Sequence, residues 1–292
     1  MMVRPIAGGL EALAPAKLNL FLEVLGRRAD GYHDIESLMV AVDLHDTLTF
    51  TEGDEDAITL RCDDPSLPTD ASNLVVRAAL ALKAATGCRR GARIDLRKSI
   101  PAQAGLAGGS SDAAASLVAL DRLWGLGLGS GRLAEIAATL GSDVAFFLHG
   151  TAAVCRGRGE VVTPWALNQR LDFVLVRPEV GVSTAEVYHH LTTAGQPRPI
   201  GPMLDALAGG DRGAIGRELF NRLQSVAEAL QPALTPVRDA LIGLGPLLDG
   251  SMMSGSGSAY FGLAPDREAA ESAARRLAAL GQGWVRVVTC GP

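Results

Sequence analysis

The order of hydropathy patterns predicts an α+β fold in two halves. Apolar–polar alternation dominates residues 13–63 and returns at 92–100, the mark of half-buried strands. Helical spacing then takes over at 111–140, and the same succession, strands first and helices later, is repeated in the second half. A doubly wound parallel sheet would instead alternate strand and helix throughout. With 292 residues, 48% of them apolar, the chain can bury one large core or two ordinary ones. A boundary is expected between 150 and 175, and we place it at 165/166, giving domains 1–165 and 166–292.

Each element has its own justification. "LAPAKLNLFLEVLG" (13–26) alternates around Leu18, Leu20 and Leu22 and reads as a strand. "SLMVAVDLHDTLTFT", rich in Val, Leu and Thr, reads as one or two strands, and "DAITLRCD" as another. "SNLVVRAALALKAATG" changes period; Ser72 or Asn73 can cap a helix there and Gly87 can stop it. "ARIDLRKSI" returns to alternation. Residues 111–124 and "GRLAEIAATLG" read as helices, "VAFFLHGTAAVCRG" and "LDFVLVRP" as strands. "STAEVYHHLTTAG" and "AIGRELFNRLQSVAEAL" read as helices, "MMSGSGSAYFGLAP" as a strand pair and "WVRVVTC" as a last strand. The most loop-like stretch is 192–203, with Pro197, Pro199 and Pro202.

Bulk composition excludes some function classes. The net charge of −5 is spread along the chain, which argues against a nucleic-acid footprint. No apolar run reaches the ~20 residues needed to span a bilayer. The N-terminus carries no clear signal region, so a cytoplasmic protein with no membrane partner is expected. Cys62, Cys88, Cys155 and Cys290 are widely spaced and are expected to be free thiols. Composition leaves monomer and homodimer both open.

The densest signal is "IPAQAGLAGGSSDAAASL" (100–117), a glycine run leading straight into a helix. A helix start presents unpaired N–H groups and partial positive charge, so it binds phosphate. Glycines let the backbone approach the anion without a Cβ in the way. A Walker A loop is excluded because no Lys follows Gly109; a dinucleotide fingerprint is excluded because Ala107 stands at its second glycine.

"PAQAGLAGGSSDAA" resembles the phosphate loop of the GHMP kinases. "APAKLNLFLEV" (14–24), "LGSDVAFFLHG" (140–150) and "MSGSGSAYFG" (253–262) are similar to other motifs of that family. "KLNLFLEVLGRRADGYHDIESLM" is similar to the branch whose substrate carries a cytidine diphosphate. The resemblance implies a two-lobed fold: an N-terminal mixed α/β domain, a C-terminal α+β domain, and an active site in the cleft between them. It implies ATP as phosphoryl donor, Mg²⁺, and a small-molecule cytidyl diphosphate substrate. Homoserine, mevalonate or a sugar is the alternative acceptor within the family. A binding module that kept the loop but lost the chemistry is the rival outside it.

Carried over residue by residue, the resemblance makes Asp143 the base that takes the acceptor hydroxyl's proton. By the same resemblance Lys17 contacts Asp143 and helps polarise that hydroxyl or hold the transferring phosphate. Pro101, Ala102, Gln103, Ala104, Gly105, Leu106, Ala107, Gly108, Gly109, Ser110 and Ser111 line the ATP phosphates, with Asn73 and Lys98 on the nucleotide side. Asn19, Tyr32, His33, Thr184 and Tyr188 face the substrate, Tyr32 stacking on cytosine and His33 bonding its polar edge. Ser110 is a possible metal ligand. From the residues alone, other readings stand beside these. Asp143 fits a turn or cap, Lys17 a solvent-facing strand position, "DGYHD" a hairpin, and Thr184 with Tyr188 one face of an amphipathic helix. His189–His190 diverge by ~100° on a helix and make a poor metal pair.

Overall fold

The computed structural model describes residues 1–192 and 196–292. The chain forms two compact units that are interleaved in sequence. The first holds Met1–Ala16, Leu44–Ala102 and Ala107–Gly150; the second holds Lys17–Asp43, Gln103–Leu106 and Thr151–Pro292. Two long strands, β2 (Gly9–Arg27) and β3 (His33–Gly53), contribute to both, which is why single stretches of alternation run so far in the sequence.

In the first unit β1 (Met2–Ile6) pairs antiparallel with β2, Met2 opposite Leu13. After β4 (Ile58–Cys62) and helix α1 (Leu74–Thr86) comes β5 (Gly91–Arg97). It pairs antiparallel with β3, Thr47 opposite Arg97, and parallel with β4. Asn73, not Ser72, caps α1: its side chain accepts from the Val75 N–H, and Gly87 ends the helix in the left-handed region that glycine adopts without strain. Helices α2 (Gly108–Trp124) and α3 (Ser130–Leu140) pack with α1. Ala78, Ala79 and Leu82 of α1 and Ala113, Leu117 and Leu120 of α2 are fully buried. The Trp124 indole N–H donates to the Gly91 carbonyl (3.1 Å).

In the second unit β6 (Ala152–Gly157) pairs antiparallel with the Ile35–Val40 part of β3, and β7 (Val161–Pro164) pairs with β6. β8 (Leu171–Arg177) lies inside a second, wholly antiparallel sheet. Helices α4 (Thr184–His190), α5 (Gly201–Gly209) and α6 (Arg212–Glu218) follow. Then come the two-residue strand β9 (Phe220–Asn221), α7 (Gln224–Leu230) and α8 (Thr235–Ile242). β10 (Gly250–Met253), β11 (Tyr260–Ala264), α9 (Arg267–Ala279) and β12 (Trp284–Cys290) complete the chain. The second sheet runs β10-β11-β8-β12 with α9 packed on it. Its core includes Val174, Val176, Val187, Leu223, Tyr260 and Leu277.

Three sequence expectations need correction. "VAFFLHG" does not open a strand: residues 146–148 form a short 3-10 turn, with Phe146 and Phe147 both buried. Strand residues alternate faces, so two adjacent buried phenylalanines fit a tight turn better than a half-exposed strand. "AIGRELFNRLQSVAEAL" is not one helix. It breaks at Phe220–Asn221, which pair in parallel with Phe21–Leu22 of β2, and tertiary bonds replace the local ladder there. The loop-like stretch ends early, because α5 begins at Gly201; its residues 193–195 lie outside the described residues.

Candidate active site

In the first unit the glycine run becomes the head of α2. Ala107 takes the left-handed conformation (φ 56°, ψ 32°) just before the helix. The ladder begins with Ser111 N–H donating to Ala107 C=O (3.0 Å). The amides of Gly108, Gly109 and Ser110 therefore sit ahead of it, at the positive end of a 17-residue helix. Gly108 is glycine for a reason of space: a Cβ there would lie 3.0 Å from the Ile100 side chain and 3.2 Å from the Asp46 carboxylate. Ser110 is half-buried. Ser111 is fully buried, and its hydroxyl has no hydrogen-bond partner among the described residues.

Beneath this helix start lies a buried charge cluster. The Lys98 ammonium donates to Asp112 Oδ2 (2.7 Å) and to Asp46 Oδ2. The other Asp46 oxygen accepts the N–H groups of Ser99 (2.6 Å) and Ile100 (2.8 Å). Two carboxylates share one ammonium. Burial, joined by the charge of Asp46, pushes the Asp112 carboxyl up to about 7, although Lys98 pulls it down. Burial opposes the charge on Lys98, but the carboxylates of Asp112 and Asp46 outweigh it and raise its pKa. Asn73 is engaged as the α1 cap and also donates to the Pro68 carbonyl (2.7 Å). Asp143 follows α3 in the turn closed by Val144 N–H on Gly141 C=O (3.2 Å), and it is half-buried.

In the second unit β2 carries a polar file through an apolar strand. Lys17 is 3% exposed, and its ammonium donates to Asn19 Oδ1 (2.5 Å). Asn19 Nδ2 donates to the Ser37 hydroxyl (2.8 Å), which donates to Phe21 C=O (2.7 Å). The Ser254 hydroxyl accepts Asn19 N–H (3.3 Å) and donates to Gly105 C=O (3.1 Å). Lys17 N–H donates to Leu106 C=O and Ala259 N–H to Ala104 C=O, each at 3.1 Å. Every residue from Ala104 to Leu106 is thus bonded into this unit. Gly105 has φ +73°, and a Cβ on it would lie 2.0 Å from the Ser254 carbonyl oxygen, so no other residue fits.

The "DGYHD" segment is indeed a turn, closed by Arg28 N–H on Tyr32 C=O (2.8 Å). It presents Tyr32, 56% exposed, with the Arg158 guanidinium 4.9 Å from its ring centre. His33 lies against Tyr188 with ring centres 5.2 Å apart. Burial, with Arg27 nearby, lowers the His33 pKa and keeps the ring neutral at pH 7. The Thr184 hydroxyl bonds the Ser256 hydroxyl (2.7 Å). Among the described residues no group of three or more His, Cys, Asp or Glu could hold a metal ion. Nor is any helix long and apolar enough to cross a membrane.

Sequence reasoning did not find Asp46, Asp112, Ser37 or Ser254. Asp112 and Ser254 lay inside quoted motifs, where a buried polar residue beside glycines was a usable signal. Asp46 carried none, being 52 positions from its partner Lys98.

Residues 73–151 match the family described as GHMP kinases N terminal domain, and residues 203–283 match GHMP kinases C terminal. The chain is 45% identical over 281 residues to a 4-diphosphocytidyl-2-C-methyl-D-erythritol kinase of Symbiobacterium thermophilum, covering 94% of this chain and 98% of that one. It is 44% identical to a kinase of the same name from Pelotomaculum thermopropionicum, covering 91% and 93%. Among solved structures, a 4-(cytidine 5'-diphospho)-2C-methyl-D-erythritol kinase superposes with a TM-score of 0.81 at 39% identity, covering 97% of this chain and 99% of that one. A homoserine kinase from Cytophaga hutchinsonii superposes at 0.77 with 21% identity over 100% and 97%, a likeness of fold alone.

Proposed function

The chain belongs to the GHMP kinases, and from that premise we propose that it transfers the terminal phosphoryl group of ATP to the 2-hydroxyl of 4-diphosphocytidyl-2-C-methyl-D-erythritol. One observation carries the choice of acceptor: the end-to-end identity of 45% with a relative bearing that activity in its name. The geometry of each unit supports it.

Phosphoryl transfer asks a protein mainly for positioning and for charge stabilisation. The loop Pro101–Ser111 receives the ATP phosphates on the leading amides of α2. These are fixed dipoles that need no reorganisation during reaction. Lys98 and Asn73 serve the nucleotide side by holding backbone: Lys98 pins the entry to the loop, and Asn73 caps the helix packed on α2. Mg²⁺ enters as part of the ATP substrate, neutralising phosphate charge, with the half-buried Ser110 hydroxyl available as one protein ligand.

Asp143 accepts the proton of the acceptor hydroxyl as its oxygen attacks the terminal phosphorus. The Lys17 ammonium, held by Asn19, stabilises the negative charge that spreads over the phosphoryl oxygens. Asn19, bonded to that ammonium, belongs on the acceptor side in this reading. Tyr32, exposed and already stacked by a guanidinium, offers an aromatic face to cytosine. Neutral His33 bonds the base edge, with Tyr188 and Thr184 on the neighbouring wall. The reaction runs in the cytoplasm, where ATP and such phosphate esters are at hand.

The test is direct. ATP, Mg²⁺ and the cytidyl substrate should give ADP and a new phosphomonoester, and CMP should compete with the substrate. Asp143→Asn should lower kcat by about 10²- to 10⁴-fold while leaving ATP affinity nearly unchanged. Lost ATP affinity in that variant would remove Asp143 from the role of base.

A further inference from the structure

We infer that Asn221 is a positioning residue for phosphoryl transfer, one that fixes the 253–257 loop against the Lys17–Asn19 pair. The inference rests on the reading of Lys17 given above.

Asn221 lies in β9, the two-residue strand that interrupts a helical sequence pattern. Its side chain is buried and fully used. Nδ2 donates to Met253 C=O (2.8 Å) and to Gly255 C=O (2.7 Å), and Oδ1 accepts the Leu223 N–H (2.9 Å). One amide thus grips two carbonyls of a single loop and caps the approach to α7. Gln224 adds a grip from the same helix, its Oε1 accepting the Met253 N–H (3.0 Å). β9 is itself clipped to β2, since Arg222 N–H donates to Leu22 C=O (2.9 Å).

The loop so held touches the reacting groups. Gly255 has φ +58°, and a Cβ there would lie 3.3 Å from Lys17 Nζ, from Asn19 Oδ1 and from Gly105 C=O. The adjacent Ser254 hydroxyl bonds Asn19 N–H and Gly105 C=O. The chain of contact runs from the Asn221 amide to the Gly255 backbone, and from there to the Lys17 ammonium and the phosphate-loop carbonyl. The Asn221 amide is engaged by the loop and by Leu223. It acts by denying the loop the freedom to move off Lys17, and a displacement of about 1 Å in such a frame costs on the order of 10²-fold in rate.

Asn221→Asp tests this at constant size. The acceptor to Leu223 survives, while both donated bonds become oxygen–oxygen repulsions. At pH 8, in protein shown to be folded by circular dichroism and thermal melting, kcat should fall about 10- to 100-fold. KM for the cytidyl substrate should change far less. The introduced carboxyl, buried beside two carbonyls, has a raised pKa and regains one donor when protonated. The deficit relative to wild type should therefore shrink as the pH is lowered from 8 to 6. With the variant shown to be folded at both pH values, a change in stability alone leaves kcat untouched and would not give that trend. If Asn221→Asp does not fold, Asn221→Ser, with one donor in place of two, should show a smaller fall in kcat at unchanged KM. A folded variant with kcat within about twofold of wild type across the pH range overturns the inference. Inactivity of the wild type on the cytidyl substrate would instead overturn the proposed acceptor. In that event the Lys17 side-chain NMR resonance decides the positioning role: it should shift in Asn221→Asp, and an unmoved resonance refutes it.

Discussion

Where the glycine run becomes helix α2, in the first unit, charged side chains hold the backbone. Lys98 sits between Asp46 and Asp112, and Asp46 takes two further main-chain N–H groups. The stretch Gln103–Leu106, in the second unit, is held by neutral partners: the Ser254 hydroxyl and main-chain bonds from Lys17 and Ala259. The first arrangement is strong only while its charges balance. One ammonium cannot compensate two buried carboxylates, so one of them keeps its proton toward neutral pH. The second has nothing to titrate, and each bond in it contributes modestly. The same loop therefore has one proton-sensitive hold and one indifferent to pH.

Breaking the charged hold should have the largest effect. Asp46→Asn strips Lys98 of a buried partner and weakens the acceptor for Ser99 and Ile100. It should cost about 1.5–3 kcal/mol in urea unfolding, the loss of a hydrogen bond to a buried charge that keeps its second partner, and a cost below about 1 kcal/mol would show that Asp112 alone suffices. Asp112→Asn sharpens the comparison rather than breaking it. The Asp112 carboxyl titrates at about 7 in the fold, against about 4 in an unfolded chain. The folded state binds that proton more tightly, so the stability it confers is complete below pH 4 and is lost as pH rises through 7. In Asp112→Asn that fall should vanish, with a change at pH 8 of no more than about 2 kcal/mol. Matched pH profiles of the two proteins would assign the titration to another group. Ser254→Ala should have the smallest effect, about 1 kcal/mol, equal at pH 5 and pH 8. A cost that varied with pH would mean the neutral hold is coupled to a charge after all.

How far the sequence revealed these holds differs from residue to residue. The head of α2 was legible because glycine and serine before a helical run have few structural uses. The turn at "DGYHD" and the caps at Asn73 and Gly87 were legible for the same local reason. Strands β1 and β7 escaped, being short and at most partly buried. β9 was hidden because Phe220 and Asn221 stand in a sequence with good helical spacing. Only pairing with Phe21 and Leu22, some 199 positions away, decides otherwise. Asn221, Asp46 and Ser254 share that difficulty, since their partners are set by topology and not by neighbours in the chain.

Strands β2 and β3 each feed both units, and that shapes how the protein is made. All of the first unit's residues have been synthesised once Gly150 is added. Residues 17–43 of the second are made almost at the outset, yet their partners in β6 and β9 come only after residues 152 and 220. A nascent chain thus carries two apolar half-strands, paired with each other, through much of translation while the outer neighbour of each, β9 or β6, is still unborn. A fragment cut after the first family domain would strand them permanently.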